Sequence, residues 1–329
     1  MCSMAKAVMP GKLLLRNVYR LLQTQKSWSD TLVLDTGTCS DLMWWHCALL
    51  SWNGTSIQQR VIEKQMFTDA SATAWGGVLG NSQARGLWTP AMSSEHSNVR
   101  EMMAVLLSLR AFQKEIQNKV VQLLTDNIST VAYINCKGGP SQKLTQVATW
   151  IWAECLKNNV TLVAKHLSGK LNFHADFLSR HITSTDWKLH PALFRYIDKM
   201  WGPHTIDRCA SLVTTQIPTY NSYYSDPECV GIDCLAQSDW GIHNNYVNPP
   251  FRILNKVLDV IVAQKACATV IAPKWVTKPW YQRIIQMSIS PPIRIPNNSR
   301  TFINFGQTPE PLKNPRWHIF AWRISGELA

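Results

Sequence analysis

The 329-residue sequence lacks the features that mark secreted, zinc-binding or membrane-spanning proteins. Its nine cysteines are scattered, and no two form a C-x-x-C pair, which excludes the usual zinc spacings and favours reduced thiols. No apolar run reaches the roughly 20 residues of a membrane span. Met9-Pro10-Gly11 interrupts the start too early for a signal peptide. These absences predict an intracellular protein, cytoplasmic or nuclear and not secreted, with no membrane partner.

Acidic residues are also scarce, at 21 against 33 lysines and arginines, so the formal net charge is +12. The excess is spread along the chain rather than gathered in a tail. Such a broad positive field fits a polyanionic partner such as nucleic acid, although a merely basic soluble protein would show the same balance. A hydrophobic content of 46% over 329 residues allows two modest domains with real cores.

Four of these few acids stand in settings that suggest a shared site. Asp69 (in MFTDAS, 66–71) and Asp126 (in VVQLLTDN, 120–127) belong to apolar runs of strand type. Glu101 lies in a helix with apolar periodicity, and Asp176 lies in the helix-type segment HADFLSR. Burying four carboxylates together is costly unless cations neutralise them. The pattern therefore predicts a carboxylate cage for two divalent metal ions.

Each acid also has an ordinary interpretation. Asp69 and Asp126 could be turn or cap aspartates, and Asp176 could be a helix-surface acid. Glu95 competes with Glu101, which we prefer because it lies inside the apolar-periodic helix whereas Glu95 precedes it. The order of the acids, with no glutamate two residues after Asp69, differs from that of proofreading exonucleases and integrase-type nucleases.

The order of predicted strands and helices defines the expected fold class. Strands are expected at residues 67–69, 73–79, 83–91, 119–125 and 160–165, and helices at 99–112, 128–135, 141–156 and 171–180. This β-β-β-α-β-α-α-β-α order predicts an α/β fold with a mixed five-stranded sheet flanked by helices. The preceding N-terminal segment is expected to be helical, with one helix at 41–50 capped by Ser40 or Asp41.

These elements and acids resemble type-1 ribonuclease H, in the version fused to reverse transcriptases. The segments TDAS (68–71), TDN (125–127) and AD (175–176), with Glu101, match the places of that family's four metal-binding acids. The run HLSGKLNFHADFLSR (166–180) is similar to the H-x-x-G…N-x-x-A-D-x-L-S-R ending of retrotransposon ribonucleases H. The resemblance covers residues 66–182 and implies a ribonuclease H-like fold for them.

The resemblance also implies a metal-dependent endonuclease that cleaves the RNA strand of RNA–DNA hybrids. Asp69, Glu101, Asp126 and Asp176 would hold two Mg²⁺ ions, or Mn²⁺, and His166 would help the product to leave. Candidate phosphate contacts are Lys137, Lys143, Lys165, Lys170 and Arg180. A non-catalytic nucleic-acid-binding remnant with intact acids is the alternative function.

Residues 1–65 are similar to the end of a reverse transcriptase. DLMWW (41–45) and SWNG (51–54) resemble the linker before the ribonuclease H of DIRS-type, tyrosine-recombinase retrotransposons. The polymerase motif Y-x-D-D is absent, so a reverse-transcriptase polymerase domain is expected as a partner rather than as an activity of this sequence. The resemblance implies part of a retroelement polyprotein.

After a linker at residues 183–202, residues 203–329 are expected to form a second, smaller α/β domain. Asn248, Pro249, Pro250 and Phe251 resemble the Asn-Pro-Pro-aromatic motif of phage-type N-6-adenine methyltransferases, which implies a site for cofactor and base. The segment DRCAS (207–211) lacks the usual cofactor-loop glycines, which weakens the expectation that S-adenosylmethionine binds. A plain proline turn is the structural alternative, and a DNA adenine methyltransferase is the alternative function.

Overall fold

The computed structural model describes residues 5, 8, 11–27, 29–52, 61–181, 187–304 and 308–328. Asn53 and Gly54 of the SWNG segment, and the part of the predicted linker at 183–186, lie outside the described residues. The chain divides into two compact units. The first unit contains residues 1–69, 77–81 and 95–176, and the second contains residues 70–76, 82–94 and 177–329. Among the described residues, no helix combines the length and apolar character needed to cross a bilayer.

Strands and helices alternate along most of the described chain. The strands are β1 (Lys64–Ala70), β2 (Ala74–Leu79), β3 (Ser82–Leu87), β4 (Val120–Thr125), β5 (Thr161–His166), β6 (Trp187–Leu189), β7 (Ile206–Ala210), β8 (Tyr220–Ser222), β9 (Gly231–Ile232), β10 (Asn244–Val247), β11 (Cys267–Pro273), β12 (Ile293–Ile295), β13 (Phe302–Asn304) and β14 (Ile319–Ser325). The α-helices are α1 (Arg16–Leu22), α2 (Thr36–Trp52), α3 (Pro90–Ser93), α4 (Ser97–Ala111), α5 (Gln113–Ile116), α6 (Ile128–Asn135), α7 (Gln142–Lys157), α8 (Phe173–Arg180), α9 (Pro191–Trp201), α10 (Leu254–Ala263), α11 (Pro279–Met287) and α12 (Glu310–Lys313). Short 3₁₀ turns lie at Leu13–Leu15, Gly169–Leu171, Cys234–Ala236, Trp240–Ile242, Phe251–Ile253 and Gly326–Leu328.

Within the described residues, the first sheet has five strands in the order β3-β2-β1-β4-β5. β4 lies parallel to both β1 and β5, with Thr125 opposite His166 at the last position of the β4–β5 pair. The long helices α4 and α7 each bury one apolar face, as their spacing predicts. This arrangement confirms the predicted mixed five-stranded sheet flanked by helices.

Two predicted boundaries are wrong. The third strand, expected to reach Ala91, ends at Leu87, because Pro90 begins α3 and the Thr89 hydroxyl accepts a hydrogen bond from the backbone N–H of Met92 at 3.3 Å. The helix expected at 41–50 begins at Thr36 instead. Asp35 therefore takes the capping position and accepts from the N–H of Thr38 at 2.6 Å.

The second sheet, again among the described residues, has seven strands in the order β12-β14-β11-β10-β7-β8-β9. β11, β10, β7, β8 and β9 run parallel, whereas β14 lies antiparallel to both β11 and β12. The chain moves from β7 to β8 on one side and from β10 to β11 on the other. The direction of winding therefore reverses between β7 and β10, which makes their carboxyl ends the expected ligand crevice of such a sheet.

Candidate functional site

Three carboxylates from separate elements of the first unit meet at one place. Asp69, Glu101 and Asp126 each offer an oxygen, and these oxygens lie within 4.8 Å of one another. Asp69 lies near the carboxyl end of β1, and Asp126 directly follows the parallel neighbour β4. Glu101 comes from the first turns of α4. Asp69 and Glu101 are buried and Asp126 is exposed, so the cluster opens to solvent on the Asp126 side.

The position of α4 depends on contacts that hold it near the sheet. A Cβ at Gly77 in β2 would collide with the Ser108 side chain of α4, so the missing side chain permits their close approach. The Asn127 side chain accepts a hydrogen bond from the N–H of Thr130 at 2.8 Å and donates to the Asn98 side chain at 2.9 Å. This bond links the residue after Asp126 to the start of α4. Together these contacts bring Glu101 towards the carboxyl ends of the strands.

Asp176 is not a member of the three-carboxylate group. It lies partly buried in α8, whose start is tied to β1 because the Asn172 side chain donates to the carbonyl of Thr68 at 2.9 Å. His166 is exposed at the last position of β5, beside the end of β4. The structure therefore groups three of the four predicted ligands, and the roles of Asp176 and His166 stay predictions.

Gly169 closely approaches Asp126, which the sequence alone did not indicate. A Cβ at this position would lie 3.0 Å from Oδ2 of Asp126, closer than ordinary van der Waals contact. The residue follows His166 at the glycine of the H-x-x-G motif, so the signal was present in the sequence. The contact with Asp126 was not recognisable there, because the close approach arises only in the folded chain.

The residues of the cluster suit a hard divalent cation. Carboxylate oxygens are the ligands that Mg²⁺ and Mn²⁺ prefer. Two buried carboxylates beside a third also repel one another, and a bound cation relieves that repulsion. Asp69, Glu101 and Asp126 thus fit a metal ion on the chemistry of their side chains.

The candidate phosphate contacts differ in their surroundings. Lys143 forms an ion pair with Glu95, the acid that competed with Glu101, at 2.5 Å. Lys137 lies over the ring of Trp152 at 5.0 Å, and burial lowers the pKa of its ammonium group. The remaining candidates, Lys165, Lys170 and Arg180, have exposed side chains.

The Asn-Pro-Pro-Phe motif directly follows β10 in the second unit. The Asn248 amide donates to the carbonyl of Trp187 at 3.3 Å, whereas its side-chain oxygen is buried without a hydrogen-bond partner. Pro249 is buried and Pro250 is partly buried. The Phe251 ring is only 8% exposed because it packs against several tryptophans. These tryptophans are Trp187, Trp275 and Trp317, with ring centroids 5.5–6.4 Å from that of Phe251.

Comparison with known proteins finds partial similarities. No family model matches the sequence. Over 124 residues the chain is 28% identical to the enzymatic polyprotein of carnation etched ring virus. The aligned region covers 35% of this chain and 18% of the relative. It is 26% identical over 132 residues to the enzymatic polyprotein of cauliflower mosaic virus (strain Strasbourg), covering 36% of this chain and 19% of the relative. The chain spans less than a fifth of the length of these curated relatives.

Solved structures with a similar part include ribonuclease H1 from Halobacterium salinarum, at 15% identity and a TM-score of 0.31, covering 35% of this chain and 92% of that one. LC11-RNase H1 in complex with an RNA/DNA hybrid shares 18% identity at a TM-score of 0.31, covering 35% and 93%. A foamy viral protease-reverse transcriptase in complex with double-stranded DNA shares 13% identity at a TM-score of 0.23, covering 50% and 30%.

Proposed function

We propose that this chain is part of a retroelement polyprotein and hydrolyses the RNA strand of RNA–DNA hybrids with the help of divalent metal ions. The observation that carries the proposal is the convergence of Asp69, Glu101 and Asp126, which are far apart in the sequence, within 4.8 Å. The 28% identity to a viral enzymatic polyprotein supports the polyprotein context. The DIRS-type origin rests on the sequence resemblance alone.

In the proposed reaction, the cluster residues hold the metal and orient the phosphate. Asp69, Glu101 and Asp126 would supply ligands, with Asp176 as the fourth. A Mg²⁺ or Mn²⁺ ion held there would polarise the scissile phosphate and lower the pKa of an attacking water. Because Asp126 is the exposed member, the substrate would approach from its side. His166 is exposed at the end of β5, and its proposed role is to help the product to leave.

The proposed substrate is an RNA–DNA hybrid read through its backbone and its 2′-hydroxyl groups. The exposed Lys165, Lys170 and Arg180 are the proposed phosphate contacts. A reverse-transcriptase polymerase domain, supplied outside these 329 residues, is the proposed partner, and the cytoplasm or nucleus the proposed compartment. We propose domain borders at 65/66, 182/183 and 202/203, with residues 203–329 as a methyltransferase-like fold.

Cleavage of a labelled RNA–DNA hybrid in Mg²⁺ tests the nuclease proposal directly. Asp126→Asn removes one ligand charge and is expected to lower the cleavage rate on the order of 10³-fold, equivalent to about 4 kcal/mol of lost transition-state stabilisation. Glu95→Gln is the matched control, because Glu95 pairs with Lys143 outside the cluster. It should retain the rate within about threefold.

The same assay separates the enzyme from the non-catalytic remnant. Equal background cleavage by the unmodified chain and by Asp126→Asn, with hybrid binding retained, would establish the remnant instead. Cleavage that EDTA does not abolish would contradict the metal-dependent mechanism. Loss of activity in Glu95→Gln with activity retained in Glu101→Gln would reassign the helix ligand to Glu95.

A further inference from the structure

A cavity of about 420 Å³ lies within the second unit at the point where the winding of the sheet reverses. Its lining includes Ala210 and Ser211, at the carboxyl end of β7, and Asn248, directly after β10. Ser222, the last residue of β8, lines it as well. Open α/β sheets bind ligands in this crevice, and the volume suits a small molecule or a single nucleotide.

The charge of the lining is positive. Arg85, Arg252 and Lys256 line the cavity, and Arg252 and Lys256 have exposed side chains. Asp233 is the acid among the described lining residues, and its carboxylate already accepts a hydrogen bond from the N–H of Leu235 at 3.1 Å. The exposed Arg252 and Lys256 outnumber this one capped carboxylate, which favours an anionic ligand.

A fourth cation, Arg208, is part of the cavity wall and does not serve to bind a ligand. Its guanidinium is 1% exposed and pairs with Asp239 at 2.7 Å. It also donates to the side chains of Asn245 and Asn221, at 2.7 and 2.9 Å, and lies 4.8 Å from the centroid of the Trp240 ring. This network satisfies the charge of Arg208 and fixes the β7 side of the cavity.

S-adenosylmethionine does not fit this lining. The segment after β7 has no glycine from Ser211 to Thr219, and the N–H of Ser211 is already bonded to the Thr214 hydroxyl at 2.8 Å. Asp226, the acid after β8, is occupied by the N–H of Leu212 at 2.9 Å and the Tyr220 hydroxyl at 2.7 Å. The cofactor also carries a sulfonium and an ammonium group against one carboxylate, so its net positive charge opposes that of the cavity.

Aromatic rings complete the lining. Tyr223 is 73% exposed and lines the cavity beside Tyr224. The Arg85 guanidinium lies 5.7 Å from the centroid of the Tyr224 ring, which orients both groups. An exposed ring that lines the same cavity as basic side chains can stack on a base while the cations hold a phosphate, as in single-strand nucleic-acid binding.

We propose that this cavity binds a nucleoside phosphate unit rather than the sulfonium cofactor. The base stacks on Tyr223, and Arg252 and Lys256 hold the phosphate. The unit is either a free mononucleotide or one nucleotide within a single strand, since both present the same base and phosphate. The site is independent of the carboxylate cluster and requires no divalent metal.

The test measures binding of a labelled four-nucleotide DNA strand to the full chain by fluorescence anisotropy in EDTA, which removes metal-dependent binding. AMP, inorganic phosphate and S-adenosylmethionine serve as competitors. Tyr223→Ala and Arg252→Glu probe the cavity. Tyr196→Ala and Lys278→Glu are matched controls, because both side chains are exposed in the same unit and neither lines the cavity. Circular dichroism confirms that each variant is folded.

Tyr223→Ala should weaken strand binding roughly five- to hundredfold, the range for losing one stacked base. Arg252→Glu should weaken it at least about tenfold and reduce its salt dependence. The controls should stay within twofold. Displacement of the strand by AMP identifies a free mononucleotide as sufficient, whereas binding of the strand alone identifies a nucleotide within a chain.

Several results would overturn the proposal. They are the absence of strand binding, displacement by S-adenosylmethionine as effective as that by AMP, displacement by phosphate equal to that by AMP, and equal losses in the cavity variants and the controls. Hybrid cleavage should be unchanged in Tyr223→Ala. A chain that binds the strand but cleaves no hybrid would contradict the proposed nuclease and leave this inference standing.

Discussion

The carboxylate cluster of the first unit and the cavity of the second unit use the same structural position for opposite electrostatics. Both lie at the carboxyl ends of neighbouring parallel strands, β1 and β4 in one case and β7 and β10 in the other. The cluster presents Asp69, Glu101 and Asp126. The charged side chains that line the cavity are mainly arginine and lysine. The carboxyl ends of neighbouring parallel strands therefore offer a place for a ligand, and the side chains there determine whether that ligand is a cation or an anion.

The largest expected effect sharpens the cation side of this comparison. Glu101→Gln should lower hybrid cleavage on the order of 10³-fold by removing a metal ligand. Thermal unfolding can detect the loss of magnesium binding without a substrate. If the proposed site binds magnesium, the ion at a hundredfold excess over its dissociation constant should stabilise the unmodified chain by about 3 kcal/mol.

The Glu101→Gln variant should lose most of this magnesium-dependent stabilisation. In EDTA it should be at least as stable as the unmodified chain, because one buried charge has been removed from the cluster. An equal rise in melting temperature with magnesium in both proteins would mean that the ion binds elsewhere.

An intermediate effect concerns a buried acid of the second unit. Burial raises the pKa of Asp207 to about 7, against the opposing effects of backbone hydrogen bonds from Gln216 and Cys209 and of the charge on Lys188. The folded-state pKa lies above the unfolded value of 3.8, so the folded chain binds the Asp207 proton more tightly than the unfolded chain does. The stability that this protonation contributes is complete below about pH 4. It is lost as the pH rises through 7.

Between pH 5 and pH 8 the free energy of unfolding of the unmodified chain should fall by about 3 kcal/mol from this group. Asp207→Asn cannot ionise and should remove that part of the pH dependence. Urea unfolding at the two pH values measures the difference. Parallel pH profiles for both proteins would show that Asp207 titrates normally.

The smallest expected effect tests how closely the cluster is packed. Gly169→Ala places a methyl group 3.0 Å from Oδ2 of Asp126, so the carboxylate must shift by a few tenths of an ångström. The magnesium concentration for half-maximal cleavage should rise roughly two- to fivefold, since a displaced carboxylate oxygen is a poorer ligand for an ion that requires near-ideal geometry. Ser168→Ala, its exposed neighbour, is the control and should leave this concentration unchanged.

The sequence was sufficient for the parts of the first unit that follow from local pattern. Apolar runs of strand type predicted that Asp69 and Asp126 lie at strand ends, and apolar periodicity assigned Glu101 to a helix. The close approach at Gly77 could not be predicted in the same way. It depends on Ser108, some thirty positions along the chain, and no local signal pairs the two residues.

In the second unit, too, the sequence predicted a motif but not the packing around it. Asn248 to Phe251 were predicted to hold a cofactor and a base, and the segment does follow a strand at the ligand crevice. The burial of Phe251 depends on Trp187, Trp275 and Trp317, which come from both sides of the motif in the sequence. Their convergence is a property of tertiary packing that neither spacing nor composition encodes.

Strand β3 ends the five-stranded sheet, and its outer edge is covered inside the second unit. Ala84 forms a parallel bridge with Ser225, and the N–H of Ser225 donates to the carbonyl of Gln83 at 3.1 Å. An uncovered strand edge invites pairing with other chains. Proteolytic trimming or recombinant expression that stops before residue 203 would therefore produce a fragment with an exposed β3 edge that is prone to self-association. Fragments that retain the region around Ser225 keep this edge covered.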